Sequence, residues 1–233
     1  MKDRTYTVLI ESIEKKLRSG ELAVGDRLPG ERTLAEKYGI SRASVREGLQ
    51  VLNAVGLLNS GVGSGPKAGA IVTSEPSKAL SWALRMHIAT RSFPVADVVG
   101  TRVLLEGQAA FEAAGCTDTE KRAAALERAE AYLQEMDDPA LSDARFHFCD
   151  AKFHYEISSL SGNLALETVI DSLHLATVSY VEEAVPRLDD WAGVRRTLQE
   201  QHRGIFEAVK AGEQERAQER VITHITWFHD LIR

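Results

Sequence analysis

The pattern of apolar and polar positions separates the chain into a long helical part and a shorter mixed part. From about residue 77 to the C-terminus, apolar residues recur at helical spacing, and the alternation typical of strands is absent. This pattern predicts an antiparallel all-α bundle of six or seven helices. The predicted helices cover residues 77–90, 95–115, 118–136, 139–160, 163–184, 189–211 and 213–232.

The mixed part at the N-terminus is predicted to form three short helices and a β-hairpin. The first helix ends at Gly20 and the second at Gly39, while Ser41 can cap the third, which begins RASVREGLQ. A turn of about four residues between the second and third helices is typical of a helix-turn-helix. The segment GLLNSGVGSGPKAGAIV then has apolar ends around a glycine-rich tip, which predicts a hairpin, or wing.

These elements give a mainly α fold class with three segments. We predict a winged helix-turn-helix domain, α with a small β-hairpin, over residues 1–74. A linker and a first helix follow over residues 75–94, and an all-helical domain occupies residues 95–233.

The third helix carries residues suited to reading DNA. Val45, Leu49 and Leu52 recur at helical spacing and are expected to pack inwards. Arg42 and Arg46 border this stripe near the N-terminal end of the helix, which recognition helices present to the major groove. An arginine there can bridge guanine O6 and N7 or bind a phosphate.

Composition and charge narrow the class of protein. The net charge of −6 argues against a generic nucleic-acid binder, but residues 1–75 hold 11 Lys and Arg against 9 Asp and Glu. The remainder holds 17 against 25, so that the two parts are predicted to have different partners.

Cys116 and Cys149 are too few for a disulfide framework or a thiolate zinc site. No apolar stretch is long enough for a membrane helix and the N-terminus lacks a signal peptide, so we expect a cytoplasmic protein.

Three histidines and one aspartate are predicted to face the interior of the bundle. Asp150 and His154 lie one turn apart on a face bordered by apolar residues, and His202 and His224 each lie within an apolar stripe of a later helix. Buried groups of this kind need partners. They either form a structural polar network or converge on a divalent cation. His147 shares the face of Asp150 without an assigned role.

The other histidines have less favourable positions. We interpret them as ordinary surface or packing residues. They are His87, His174 and His229.

The segment GDRLPGERTLAEKYGISRASVREGLQVLNAVGLL resembles the winged-helix DNA-binding domain of the GntR family of bacterial transcription regulators. The residues that match the family pattern are Leu28, Pro29, Glu31, Arg32, Leu34, Ala35, Gly39, Ser41, Arg42, Val45, Arg46, Glu47, Leu49, Leu52 and Gly56. The resemblance spans about residues 8–72, and the residues PKAGA make the wing longer than the common short form. It implies a set of contacts to double-stranded operator DNA. This set comprises Arg32, Ser41, Arg42, Ser44 and Arg46, with Gly63 and Gly65 at the wing tip.

The segments DAKFHYEISSLSGNLAL and EQHRGIFEAVKAGEQERAQERVITHI resemble the helical ligand domain of the FadR subfamily of GntR regulators. Its hallmarks are an Asp-x-x-x-His pair, a Ser-Gly-Asn helix break and two later histidines. The resemblance implies a divalent metal ion, zinc first and nickel or manganese as alternatives. The implied ligands are Asp150, His154, His202 and His224.

The segment VVGTRVLLEG is similar to an Arg-x-x-x-Glu helix of the same domain. Arg102 and Glu106 lie one turn apart, and they either form a surface ion pair or face an effector cavity. In the second case Arg102 binds an anionic effector, because guanidinium matches carboxylate geometry. We assign Glu106 and Asn163 to the same effector site.

The combination predicts a homodimeric transcription regulator that responds to a small carboxylate metabolite. Repression is the commoner behaviour in the family, so we expect a repressor that binds a pseudo-palindromic operator. A metal-dependent enzyme fused to a DNA-binding domain is the rival, although no His-Glu-x-x-His signature supplies a general base. A regulator with a purely structural metal is the third alternative.

Overall fold

The computed structural model describes residues 6–60, 69–74, 76–90 and 92–232, and it confirms a mainly α-helical chain with one small hairpin. The chain divides into two compact units, Met1–Leu80 and Ser81–Arg233. The division lies inside the segment that the sequence predicts to be a linker and a first helix.

The N-terminal unit has the predicted order of three helices and a hairpin. The helices are α1 (Thr7–Ser19), α2 (Glu31–Tyr38) and α3 (Arg42–Ala54), and the strands are β1 (Leu58–Ser60) and β2 (Ala70–Val72). The strands are antiparallel, with Leu58 opposite Val72 and Ser60 opposite Ala70. The wing tip over residues 61–68, with the predicted DNA contacts Gly63 and Gly65, lies outside the described residues.

Local signals fix the ends of these helices as the sequence indicates. Gly39 ends α2 with a φ of 63°, a left-handed conformation that glycine adopts without the strain of a Cβ atom. The Ser41 hydroxyl accepts a hydrogen bond from the backbone N–H of Ser44 at 3.0 Å and so caps α3. The apolar faces of the three helices and the hairpin meet in one core. Its buried members are Leu9, Ile13, Leu28, Leu34, Val45, Leu52, Leu58 and Val72.

Seven helices follow the hairpin in the described part of the chain, in agreement with the predicted bundle. They are α4 (Pro76–Ala89), α5 (Val95–Ala114), α6 (Thr119–Met136), α7 (Asp143–Ser159), α8 (Leu164–Ala184), α9 (Trp191–Ala211) and α10 (Gln214–Ile232). The start of α7 was predicted too early, at residue 139, because the Ser142 hydroxyl caps the helix by accepting from the Arg145 N–H. None of the described helices has the length and apolar character needed to span a bilayer.

Small residues on α5 let neighbouring helices of the C-terminal unit approach closely. Ala109, Ala110 and Ala113 are fully buried. A Cβ atom added to Gly107 would lie 3.1 Å from the Ile222 side chain of α10, which shows how close these two helices are. Larger side chains of α7, above all Phe153, fill the core beside them. The polar residues of α5 and α7 are therefore held against α10.

Arg122 of α6 connects the C-terminal ends of two other helices. Its guanidinium donates to the backbone oxygens of Ala113 and Ala114 at the end of α5, at 3.0 and 3.3 Å. It also donates to the oxygens of Val209 and Lys210 at the end of α9, the latter at 3.2 Å. Carbonyls in the last turn of a helix lack a partner within the helix. One side chain thus satisfies these groups and fixes the end of α5 relative to α9.

Replacing Arg122 should destabilise the C-terminal unit. We expect Arg122→Met to lower its free energy of unfolding by about 2–3 kcal/mol, because hydrogen bonds from a charged donor are lost and buried carbonyls are left unpaired. Urea unfolding followed by the helical circular dichroism signal measures this change. Lys121→Met, at an exposed position next to it, should change the value by less than about 0.5 kcal/mol. Equal stability of the two variants would show that these hydrogen bonds contribute little.

Candidate functional site

Four side chains from three helices meet inside the C-terminal unit. They are Asp150 and His154 of α7, His202 of α9 and His224 of α10. Each offers one possible ligand atom, and these atoms all lie within 4.8 Å of one another. The three histidines are buried, while the Asp150 side chain keeps 24% of its surface exposed. The structure therefore brings together the four residues that the sequence predicts to face the interior.

The distances within this group are those of atoms able to share a cation. Nε2 of His154 lies 3.2 Å from Nε2 of His224, and Nε2 of His202 lies 3.1 Å from Oδ1 of Asp150. Nδ1 of His202 is buried and has no hydrogen-bond partner among the described residues. A fully buried polar atom without a partner is unfavourable in a protein that binds nothing there.

The electrostatics of the site favour the protonation states that bind metals. Burial raises the pKa of Asp150, but the hydrogen bond with His202 and the neighbouring histidines outweigh it and hold that pKa well below the usual range. Burial lowers the pKa of His202, and burial together with His202 and His154 holds the pKa of His224 well below its ordinary value. An ionised carboxylate beside neutral imidazoles is the donor set that zinc, nickel or manganese requires. The residues present fit a divalent cation.

A second polar group lies directly behind His154. Oε1 of Glu106 accepts a hydrogen bond from Nε of Arg102 at 2.7 Å and lies 3.1 Å from Nε2 of His174. Oε2 of Glu106 lies 2.8 Å from Nδ1 of His154, but it makes no hydrogen bond with a described residue. Burial raises the pKa of Glu106, but Arg102, His174 and His154 together hold it well below the usual range. Glu106 is thus a buried carboxylate that links Arg102 to a candidate metal ligand.

This arrangement bears on two residues. Glu106, which the sequence assigns to the effector site, is only 2% exposed and lies against Arg102, His154 and His174 rather than in the cavity lining. His174, interpreted as an ordinary residue, is buried within this group, with Nε2 3.1 Å from Nη2 of Arg102. Its neighbours Ile170 and Leu173 on α8 are also buried. That apolar stripe is the sequence signal that could have identified His174.

A cavity of about 50 Å³ opens beside the four candidate ligands. Its polar lining consists of Arg102, His147, Asp150, His174, Thr177 and His224. Its apolar lining consists of Ala151, Val178, Val181, Leu198, Ile225 and Phe228. Since one water needs roughly 10–15 Å³ by this measure, the cavity holds a molecule of only a few water-sized groups.

His147 belongs to the lining of the cavity, and Asn163 does not. His147 lines the cavity, and its ring packs against Trp191 with 5.5 Å between the centroids. Burial lowers the pKa of His147. Asn163 is exposed and accepts a hydrogen bond from the Leu166 N–H, so it caps α8. The Ser-Gly-Asn break therefore has a local structural cause.

The predicted DNA contacts form an exposed basic surface on the N-terminal unit. The side chains of Arg32, Arg42 and Arg46 are 82%, 66% and 59% exposed. Arg46 donates two hydrogen bonds to the Glu31 carboxylate, at 3.2 and 2.9 Å, and Arg42 approaches the same group at 3.8 Å. Glu31 belongs to the family pattern, but the sequence alone assigned it no role. Here it holds the recognition-helix arginines in place.

Two family models cover most of the chain. The family described as "Bacterial regulatory proteins, gntR family" matches residues 5–67, and the FCD domain matches residues 97–226. The chain belongs to the GntR family. Its FCD domain makes it a member of the FadR type, and it is a transcription regulator with a helix-turn-helix domain and an effector-binding domain.

Relatives of known name support this assignment over nearly the whole length. The GntR-family chain is 31% identical to the HTH-type transcriptional regulator LutR of Bacillus subtilis, over 93% of this chain and 95% of LutR. It is 29% identical to the Glc operon transcriptional activator of Escherichia coli, over 87% of this chain and 78% of that protein. A solved structure, Streptococcus agalactiae GntR, has the same fold with a TM-score of 0.59 at 20% identity, covering 98% of both chains.

Proposed function

We propose that this GntR-family regulator is a repressor controlled by a small carboxylate that binds at a divalent-metal site of the FCD domain. The proposed ligands are Asp150, His154, His202 and His224. One observation carries the proposal: their ligand atoms lie within 4.8 Å of one another beside a cavity lined by Arg102. We propose zinc as the metal, with nickel or manganese as alternatives.

The proposed ligands leave room for a small anion. Three imidazoles and one carboxylate do not complete an octahedral set, so a bound cation supplies positive charge and open positions for an effector carboxylate. Asp150 is the ligand that retains exposure, and both Asp150 and His224 line the cavity. The volume of about 50 Å³ limits the effector to a small metabolite.

Arg102 is placed to bind the effector's negative charge. Its side chain is 14% exposed and lines the cavity, while its Nε atom donates a hydrogen bond to Glu106. Nη1 makes no hydrogen bond among the described residues and remains available to a carboxylate. Buried charge complementarity of this kind favours an anion over a neutral molecule.

We propose sensing rather than catalysis for this site because the FCD domain is joined to a DNA-binding domain. The named relatives are transcription regulators. Effector binding would shift a homodimer between states that fit and do not fit a pseudo-palindromic operator, which requires different effector affinities for the two states. This function places the protein in the cytoplasm of a bacterial cell.

DNA recognition is assigned to α3, with Arg42 and Arg46 entering the major groove and Arg32, Ser41 and Ser44 near the backbone. We expect Arg46→Ala to weaken binding to the operator by about 10- to 100-fold, the usual effect of losing a specific arginine contact. Fluorescence anisotropy with a DNA fragment enriched from the genome by the wild-type protein measures it. Arg18→Ala removes an exposed arginine from α1 and should leave affinity nearly unchanged. Equal affinity of Arg46→Ala and wild type would remove Arg46 from the interface.

The metal assignment predicts a loss of bound ion. The double variant His202→Ala, His224→Ala should contain well below one metal ion per chain by elemental analysis, because half of the proposed ligands are gone. Excess zinc should raise the unfolding midpoint of the wild type, with about 2.7 kcal/mol of stabilisation at 100 times the dissociation constant. His87→Ala removes an exposed histidine and should keep the wild-type metal content. Stoichiometric metal in the double variant would reject the assignment.

The effector assignment is tested by measuring metal binding and the response to the carboxylate separately. We expect Arg102→Ala to weaken the effect of the carboxylate on operator binding by at least 10-fold and to weaken metal binding much less. The carboxylate is chosen by a thermal-shift screen of the metal-loaded protein. Arg128→Ala, whose partner is Glu156, is the charge-matched control. Equal losses of effector response and metal affinity would argue for an indirect role, and a response that survives unchanged would favour a purely structural metal.

A further inference from the structure

We propose that Gln201 is a positioning residue that fixes the ring tautomer of His224, so that its Nε2 lone pair is directed at the space between the candidate ligands. The inference rests on the proposed metal site and goes beyond its ligands to a residue that orients one of them.

Gln201 determines the tautomer of His224. Oε1 of Gln201 lies 2.8 Å from Nδ1 of His224. An amide oxygen only accepts, so Nδ1 must carry the hydrogen. A neutral imidazole has one such hydrogen, and burial favours the neutral ring. Nε2 of His224 is therefore left with a free lone pair.

Glu106 lies behind His154 but does not fix its tautomer. Oε2 of Glu106 is 2.8 Å from Nδ1 of His154, yet this buried oxygen makes no hydrogen bond with a described residue. The ring hydrogen that a hydrogen bond assigns in this group is the one that His224 donates to Gln201.

Nε2 of His224 then faces Nε2 of His154 across 3.2 Å, a hydrogen-bonding distance. With the hydrogen of His224 on Nδ1, its Nε2 is the acceptor of this hydrogen bond. A cation in the site would take the place of the donated hydrogen without any rotation of the His224 ring, so this ligand is oriented before the ion arrives.

Adjacent residues of α9 serve the site in different ways. His202 offers its own ring to the site, whereas Gln201 contacts a candidate ligand on α10. Because neighbouring positions of a helix point about 100° apart, α9 reaches both the site and the outer side of His224.

Zinc affinity of full-length variants tests the proposal. Gln201→Met keeps the length of the side chain but removes the acceptor, and we expect zinc binding 10- to 100-fold weaker than in the wild type. Gln201→Glu restores a stronger acceptor and should bind zinc at least as tightly as the wild type. Gln108→Met, an exposed glutamine of α5, is the matched control. Competition with a chromogenic chelator measures all four proteins, and unchanged affinity in Gln201→Met would overturn the proposal.

The tautomer itself provides a readout that a merely structural role would not change. In metal-free protein with ¹⁵N-labelled histidine, long-range ¹H–¹⁵N spectra should show His224 protonated on Nδ1. Gln201→Met should alter this tautomer, whereas Gln108→Met should leave it unchanged.

These measurements separate the two proposals. A wild type that binds zinc but has His224 protonated on Nε2 when metal-free would reject the tautomer proposal alone. A wild type with His224 protonated on Nδ1 but without zinc affinity would support tautomer control and reject the proposed metal site.

Discussion

The C-terminal unit depends on one constraint: a carboxylate and three imidazoles on the core faces of its helices must find partners away from water. Asp150, His154, His202 and His224 meet this requirement by converging. Their convergence demands that α5, α7, α9 and α10 pack closely, which the alanines and Gly107 of α5 allow. Arg122 then fixes the ends of α5 and α9, two of the helices that supply polar groups to the site. Both the close packing of these helices and the clustering of the four side chains follow from the burial of polar groups.

Periodicity predicted much of this structure because it reports which face of a helix is buried. It predicted the order of the ten helices found in the described residues and the four inward residues, and local caps such as Ser41 fixed several boundaries. It could not predict which residue of one helix meets which residue of another, since that depends on how the helices cross. The contacts of Glu106 with His174 and of Gln201 with His224 are of this kind. Asn163 is the converse case. The sequence motif suggested an effector contact, whereas in the structure this side chain caps a helix.

The same architecture is compatible with either sign of regulation. The Glc operon relative is named as an activator, whereas NanR of Salmonella newport, 26% identical over 92% of this chain, is named as a repressor. An effector-binding domain only changes which state of the protein is favoured. The sign then depends on which of those states fits the operator and on where the operator lies. The residues of the site therefore determine which ligand can bind, but they do not determine the sign of regulation. The repressor role stays a proposal.

Glu31 has a consequence for how the protein searches along DNA. Its carboxylate accepts hydrogen bonds from Arg46 and lies near Arg42. In the proposed complex, any phosphate or base that binds Arg46 must displace this internal anion. The protein therefore carries its own competitor for the DNA backbone, and a random sequence offers less in exchange than the operator does. Displacing Glu31 costs the same free energy at every site, so only a site whose contacts with Arg46 exceed that cost would engage this arginine.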